Sequence, residues 1–162
     1  MRISIIGTGM IATEVISMLR TEGKGIEITS LFSHSDKEKA QSLAKANRIA
    51  RVYTDYTQLL KEDDADFVYI ALVNSAHYDY VRQALEADRN VIVEKPFTTS
   101  LSQAEELASL ARSRNLYLFE AVSLLHTSNW SKIASHALHP YTLCNATSHS
   151  IRADLNAICK AT

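Results

Sequence analysis

The sequence predicts an α/β fold built on a doubly wound parallel sheet. Short β-branched runs alternate with longer amphipathic ones as far as Glu120, and the first run ends in glycines where a strand must turn directly into a helix. A further observation agrees. Asn47, Asn90 and Asn115 stand where helices end, and asparagine ranks next after glycine for the left-handed residue a helix C-terminus uses.

Taken in order, Ile3 to Ile6 is a compact first strand, ended by Gly7-Thr8-Gly9. The helix that follows places Ile11, Val15, Met18 and Leu19 on one face, until Gly23 and Gly25 break it. Ile26 to Phe32 reads as the second strand, and Ser33-His34-Ser35-Asp36 as the turn capping the next helix. That helix carries Ala40, Leu43 and Ala44 and stops near Asn47. Val52-Tyr53 is a short third strand, and Tyr56 to Leu60 a helical turn or two. Phe67 to Leu72 is apolar throughout, as a strand covered on both faces requires. Ala76 to Ala87 then reads as helix, Val91 to Val93 as strand, Ser102 to Arg112 as helix and Leu116 to Phe119 as strand. Right-handed crossovers set helices on both faces, with the first strand central.

Composition narrows the class of function. The chain has 162 residues, of which 46% are hydrophobic and 22% charged, enough for one domain with a sizeable core. Seventeen basic residues against 18 acidic ones leave a net charge of −1, so there is no broad pull toward nucleic acid or an anionic membrane. No apolar run approaches the ~20 residues of a membrane span, and the opening run is too short for a signal peptide core. Two cysteines make neither a disulfide framework nor a zinc cluster, and no metal is expected. A soluble, cytoplasmic protein is the expectation.

The composition changes near residue 130. All four glycines lie within the first 25 residues, and Asp154 is the one acid after Glu120. The last 32 residues hold Cys144, Cys159 and the histidines His136, His139 and His149, at spacings that fit no ordered zinc pattern. Residues 1–125 therefore read as the interpretable domain and residues 126–162 as an atypical tail. A truncated or frame-shifted terminus accounts for that change, with a natural short form left open.

Three stretches carry chemistry. Gly7-Thr8-Gly9-Met10-Ile11-Ala12 is a G-x-G-x-x-A fingerprint between the first strand and the first helix. Gly7 permits the tight turn, Gly9 lets a pyrophosphate approach the backbone, and Ala12 allows close packing of helix on strand. The helix start supplies amide donors and a positive dipole end. In this position dinucleotide binding outweighs a bare glycine turn, and the domain reads as Rossmann-type. At the end of the second strand an acid would bind the adenosine ribose of NAD. This chain has Ser33-His34-Ser35 there, with Lys37 and Lys39 beyond and Asp36 placed as a helix cap, which favours NADP over NAD.

The second stretch, Val73-Asn74-Ser75-Ala76-His77-Tyr78, follows a buried strand whose C-terminal end faces the ligand crevice, so Asn74 and His77 are candidates for cofactor contact. The plainer alternative for His77 is a first-turn histidine bonded to backbone. The third is Glu94-Lys95-Pro96-Phe97. Lys95 stands where cofactor and substrate oxygen would meet, and Glu94 beside it is placed to orient the ammonium. The alternative is an exposed Lys–Glu pair of little consequence.

Together these motifs resemble the glucose–fructose oxidoreductase / inositol dehydrogenase / MocA (Gfo/Idh/MocA) family. The run Asp66-Phe67-Val68-Tyr69-Ile70-Ala71 and the later Phe119-Glu120-Ala121 are similar to its pattern too. The resemblance covers residues 1 to about 130. It implies an NAD(P)-dependent oxidoreductase acting on a sugar, polyol or dihydrodiol. In that scheme Lys95 is the catalytic-site lysine, Gly7, Gly9 and Ala12 form the cofactor loop, and Asn74 and His77 lie near the nicotinamide. The chain departs from the pattern at Val73, where a proline is usual, and at Asp88-Arg89-Asn90, which replaces a glycine-containing turn whose geometry Asn90 is expected to supply. The family's C-terminal α/β substrate domain has no counterpart in 126–162, so that domain reads as missing and oligomerisation is in doubt without it. Two functions stay open: an oxidoreductase represented by its nucleotide-binding half, and a non-catalytic dinucleotide-binding module or inactive fragment.

Overall fold

The computed structural model describes residues 1–23 and 25–121. It contains β1 (Arg2–Ile6), α1 (Met10–Thr21), β2 (Glu27–Phe32), α2 (Lys37–Ala46), β3 (Arg51–Tyr53) and α3 (Tyr56–Glu62). These are followed by β4 (Phe67–Ile70), α4 (Asn74–Glu86), β5 (Asn90–Glu94), α5 (Leu101–Ser113) and β6 (Leu118–Ala121). The six strands form one sheet in the order β3-β2-β1-β4-β5-β6. The β1–β2, β1–β4, β2–β3 and β4–β5 pairs are all parallel, as the alternating pattern requires. β1 is central, between β2 and β4, and the crossover from β3 to β4 reverses the direction of winding. Expectations about the tail, including Cys144, Cys159 and the domain boundary at 125, lie outside the described residues.

The core follows from strands covered on both faces. Ile3, Ile5 and Ile6 of β1, Leu31 and Phe32 of β2 and Val68 and Ile70 of β4 are all buried. One cluster joins Ile6, Phe32, Val68, Ile70, Val91 and Val93 to the helix residues Leu59, Val81, Leu85 and Leu107. Each such side chain contributes about 1.5–3 kcal/mol by leaving water. No described helix is long and apolar enough to cross a membrane.

Four local expectations need correction. In α1 the buried residues are Ala12 and Ile16, with Val15 and Leu19 half-buried, while Ile11 and Met18 are 39% and 52% exposed. The stripe is turned by one residue because small Ala12, one helical turn before Ile16, lies nearest the sheet. α4 begins at Asn74 rather than Ala76, since the Val73 carbonyl already accepts from Ala76 N–H at 2.9 Å. Of the three asparagines only Asn115 is left-handed, and the other two such positions are Arg48 (φ 55°) and Asp88 (φ 57°). Asn47 instead stays on the helix side, its amide donating to the Leu43 carbonyl at 2.9 Å. Asn90 opens β5 and spans strands, donating to the Asp66 carbonyl at 2.9 Å and accepting from Tyr117 N–H at 3.0 Å.

Two substitutions test this backbone. Asp88→Gly is expected to raise stability by about 0.5–1 kcal/mol, because it relieves a left-handed L-residue at the cost of an exposed ion pair with Arg114. Gly7 has φ +122°, and a Cβ there would sit 2.3 Å from the Ala71 carbonyl oxygen. Gly7→Ala is therefore expected to cost about 2–5 kcal/mol. Urea denaturation measures both, and a midpoint unchanged in Gly7→Ala would refute the packing of the first turn on the end of β4.

Candidate cofactor and reaction site

The first turn is held by the ends of its neighbours. Gly7 N–H donates to the Phe32 carbonyl at 2.9 Å, and Ala71 N–H donates to the Ile6 carbonyl at 2.9 Å. Gly9, two residues on, has ordinary extended backbone at φ −71°, and nothing lies within 4 Å of where its Cβ would be. The two glycines thus answer to different needs. Gly7 is demanded by the fold, whereas Gly9 leaves open space at the start of a helix. No side chain caps α1, so its first amides are left for a ligand or solvent, and Met10 is 74% exposed beside them. An open Cβ position and uncapped amides at the positive end of a 12-residue helix fit a dinucleotide's pyrophosphate. Ala12 is wholly buried, as the close approach of α1 to the sheet requires.

At the end of β2 the three expected residues separate. Ser33 is buried, its N–H donating to the Tyr53 carbonyl at 3.1 Å and its Oγ accepting from Asp36 N–H at 3.3 Å. The same hydroxyl lies 3.5 Å from Thr8 Oγ1, which links the glycine turn to this strand end. His34 and Ser35 are exposed. Asp36 caps α2 by accepting from Lys39 N–H at 2.8 Å, the role read from its position.

After β4, Val73 is exposed with φ −69° and ψ 145°, backbone that a proline also adopts, so the valine keeps the path of the chain. Asn74 is exposed in the first turn of α4. His77 follows the plainer of its two readings, a first-turn histidine against backbone, rather than facing a cofactor. Its ring is wholly buried, with Nδ1 2.8 Å from the Pro96 carbonyl oxygen and Nε2 3.1 Å from the Leu72 carbonyl oxygen. His77 shares the buried face of α4 with Val81, Ala84 and Leu85, at i, i+4, i+7 and i+8, and there it ties the end of β4 to the turn after β5. It shows no ring atom at the surface for direct contact.

Lys95 follows β5 and is exposed, and its bond to Pro96 is cis. Glu94 does not orient the ammonium as expected. Its Oε1 accepts from the Tyr69 hydroxyl at 2.5 Å and its Oε2 from the Lys95 N–H at 3.3 Å. No ion pair to Lys95 exists among the described residues, because successive side chains at a strand end leave in opposite directions. Burial, and then the hydrogen bond to Glu94, push the Tyr69 phenol up, so it stays a donor. A further carboxylate reaches the same turn: Glu120 Oε1 accepts from Phe97 N–H at 2.8 Å. An open cavity of about 360 Å³ lies beside it, lined by Phe97, Thr98, Ser100, Leu101 and Glu120 among others, and not by the glycine turn. Sequence reasoning assigned no site role to Tyr69 or Glu120. The signal for Tyr69 was a lone hydroxyl in an apolar strand, and for Glu120 a lone acid in Leu118–Ala121.

Known proteins share this fold. A family model described as an oxidoreductase family with an NAD-binding Rossmann fold, GFO_IDH_MocA, matches residues 1–122. Trans-1,2-dihydrobenzene-1,2-diol dehydrogenase of Xenopus laevis is 32% identical over 117 residues, covering 72% of this chain and 36% of that protein. D-xylose 1-dehydrogenase (NADP(+)) of Hypocrea jecorina is 36% identical over 101 residues, covering 59% of this chain and 25% of that one. The structure of KijD10, a 3-ketoreductase from Actinomadura kijaniata in complex with NADP, superposes with a TM-score of 0.76 at 32% identity. That match covers 83% of this chain and 42% of the solved one. The chain spans about a third of the length of the curated relatives it matches first. With a parallel sheet of order β3-β2-β1-β4-β5-β6, a glycine turn at the crevice and Glu94-Lys95-Pro96 after β5, this chain belongs to the Gfo/Idh/MocA oxidoreductase family.

Proposed function

We propose that this chain binds NADP, and NAD no better, and forms the nucleotide-binding half of an oxidoreductase acting on a sugar, polyol or dihydrodiol. The observation that carries the reading is the contrast between Gly7, which the fold needs, and Gly9, whose Cβ position is empty. Gly9 and the amides of Met10, Ile11 and Ala12 would hold the pyrophosphate. His34 and Ser35 are exposed, and Lys37 follows them, so a 2′-phosphate would meet hydroxyl and basic groups, while Asp36 turns its Oδ1 to the Lys39 N–H as a cap. Asn74 would stand at the nicotinamide end, with His77 acting beneath it through the Leu72 and Pro96 carbonyls. A bound nicotinamide supplies the site that accepts or gives the hydride. Lys95 would do the rest of the work at the reacting oxygen: its Nζ donates to a carbonyl or hydroxyl oxygen and takes or returns that oxygen's proton. The expected setting is cytoplasmic, with small molecules rather than nucleic acid or membrane as partners.

A second reading, a dinucleotide-binding module without catalysis, has one observation in its favour. Lys95 is exposed, and no second wall facing it occurs among the described residues. In open water its charge is screened and an alcohol is not held, whereas orientation supplies about 7–11 kcal/mol of barrier lowering in a closed site.

Titration of the 162-residue chain with both cofactors tests the reading. Gly9→Asp is expected to keep the wild-type melting temperature, since open space receives the new side chain, and to reduce binding below detection by filling and charging the pyrophosphate's place. Calorimetry is expected to give NADP an affinity at least equal to that of NAD, and a clear preference for NAD would overturn the role given to the end of β2. Assayed on a panel of polyols and sugars, the chain is expected to show little turnover. Robust turnover abolished by Lys95→Met would dismiss the module reading.

A further inference from the structure

The two peptide groups on either side of the Lys95–Pro96 bond are gripped by three side chains. The Lys95 N–H donates to Glu94 at the end of β5 at 3.3 Å, and the Pro96 carbonyl oxygen lies 2.8 Å from His77 Nδ1 of α4. The Phe97 N–H donates to Glu120 of β6 at 2.8 Å, across 23 residues of sequence. The segment 95–97 belongs to neither strand nor helix, so no backbone ladder fixes it. Its position is set by these contacts, and the position of the Lys95 Cα sets the reach of the ammonium at the end of its flexible stem. Glu94 acts within its own strand end, and His77 acts from the buried side. Glu120 is the contact that comes from the outer strand, on the solvent side. A carboxylate accepting from a peptide N–H forms a charge-assisted bond, stronger than a neutral one.

We propose that Glu120 is a positioning residue for Lys95: through the Phe97 N–H it holds the turn that determines where the Lys95 ammonium stands. The inference rests on the reading of Lys95 as the group that meets the reacting oxygen. A Glu120 that merely ties β6 to the turn would leave Lys95 unmoved when removed.

The experiment uses the whole chain with its lysines reductively methylated with ¹³C-formaldehyde, the Lys95 methyl signal being assigned by its disappearance in Lys95→Arg. Glu120→Ala is expected to shift and broaden that signal in the cofactor-free chain and to weaken NADPH binding about three- to tenfold, the scale of one net hydrogen bond. Binding of 2′-phospho-ADP-ribose, which lacks the nicotinamide, is expected to stay unchanged. Glu120→Gln keeps a carbonyl oxygen for the Phe97 N–H and is expected to restore both the signal and the affinity. Thermal melting verifies the fold of each variant, and Glu120→Leu, which also removes the acceptor, carries the test if Glu120→Ala does not melt cooperatively. A Lys95 signal unchanged when the acceptor is removed overturns the proposal, and so does a Glu120→Gln variant that behaves like Glu120→Ala. Failure of the underlying reading has a separate mark: NADPH would then leave the Lys95 signal of the wild-type chain unmoved.

Discussion

The close approach of Gly7 to the Ala71 carbonyl is the contact on which the rest of the site depends. With the Cβ of any other residue at 2.3 Å from that oxygen, β1 and β4 could not end side by side as they do. The turn is locked further by the bonds Gly7 N–H to Phe32 and Ala71 N–H to Ile6, so three strand ends are knotted at one point. From there α1 can only start upward over the sheet, with Ala12 pressed on it and its uncapped amides at the crevice. A parallel sheet collects all its strand ends on one edge, and the winding reverses beside β1, so the glycine turn, Asn74 and Lys95 arrive at the same rim.

That rim is organised more by backbone capture than by ion pairs. The Glu94 carboxylate accepts from the Tyr69 hydroxyl and the Lys95 N–H, the His77 ring lies between the Pro96 and Leu72 carbonyls, and Glu120 accepts from the Phe97 N–H. The outcome is an ammonium left without an ionic partner among the described residues, on a turn gripped from several elements. Under the role proposed for Lys95 this division has a purpose, because a carboxylate paired directly with Nζ would compete with a substrate oxygen for its protons.

Much of this was legible in the order of residues. The fold class, the central first strand, the glycine turn at the crevice and the cap at Asp36 all follow from period, spacing and local propensity, which are properties of short windows. The misplacements were of another kind. Ile11 and Met18 look like core by hydrophobicity, yet the helix rolls onto its smallest residue. Asn90 looks like a helix-ending residue, yet a side chain with a donor and an acceptor is worth more bridging β4 to Tyr117, and Asp88 takes the left-handed place.

The sequence by itself determined the α/β architecture and the three motifs, because strand and helix periodicity and the glycine fingerprint are local consequences of backbone sterics, and the family was legible in the resemblance those motifs carry. Only the tertiary structure decided what the polar side chains do. Whether His77 faces a ligand or two carbonyls, whether Glu94 serves Lys95's ammonium or Tyr69, and whether Glu120 reaches Phe97 depend on partners up to 25 residues away in the chain. A hydrogen-bonding group carries no mark in the sequence of which partner it will meet, and it is the packing of helices on the sheet that brings one partner within 3 Å and leaves the others out of reach.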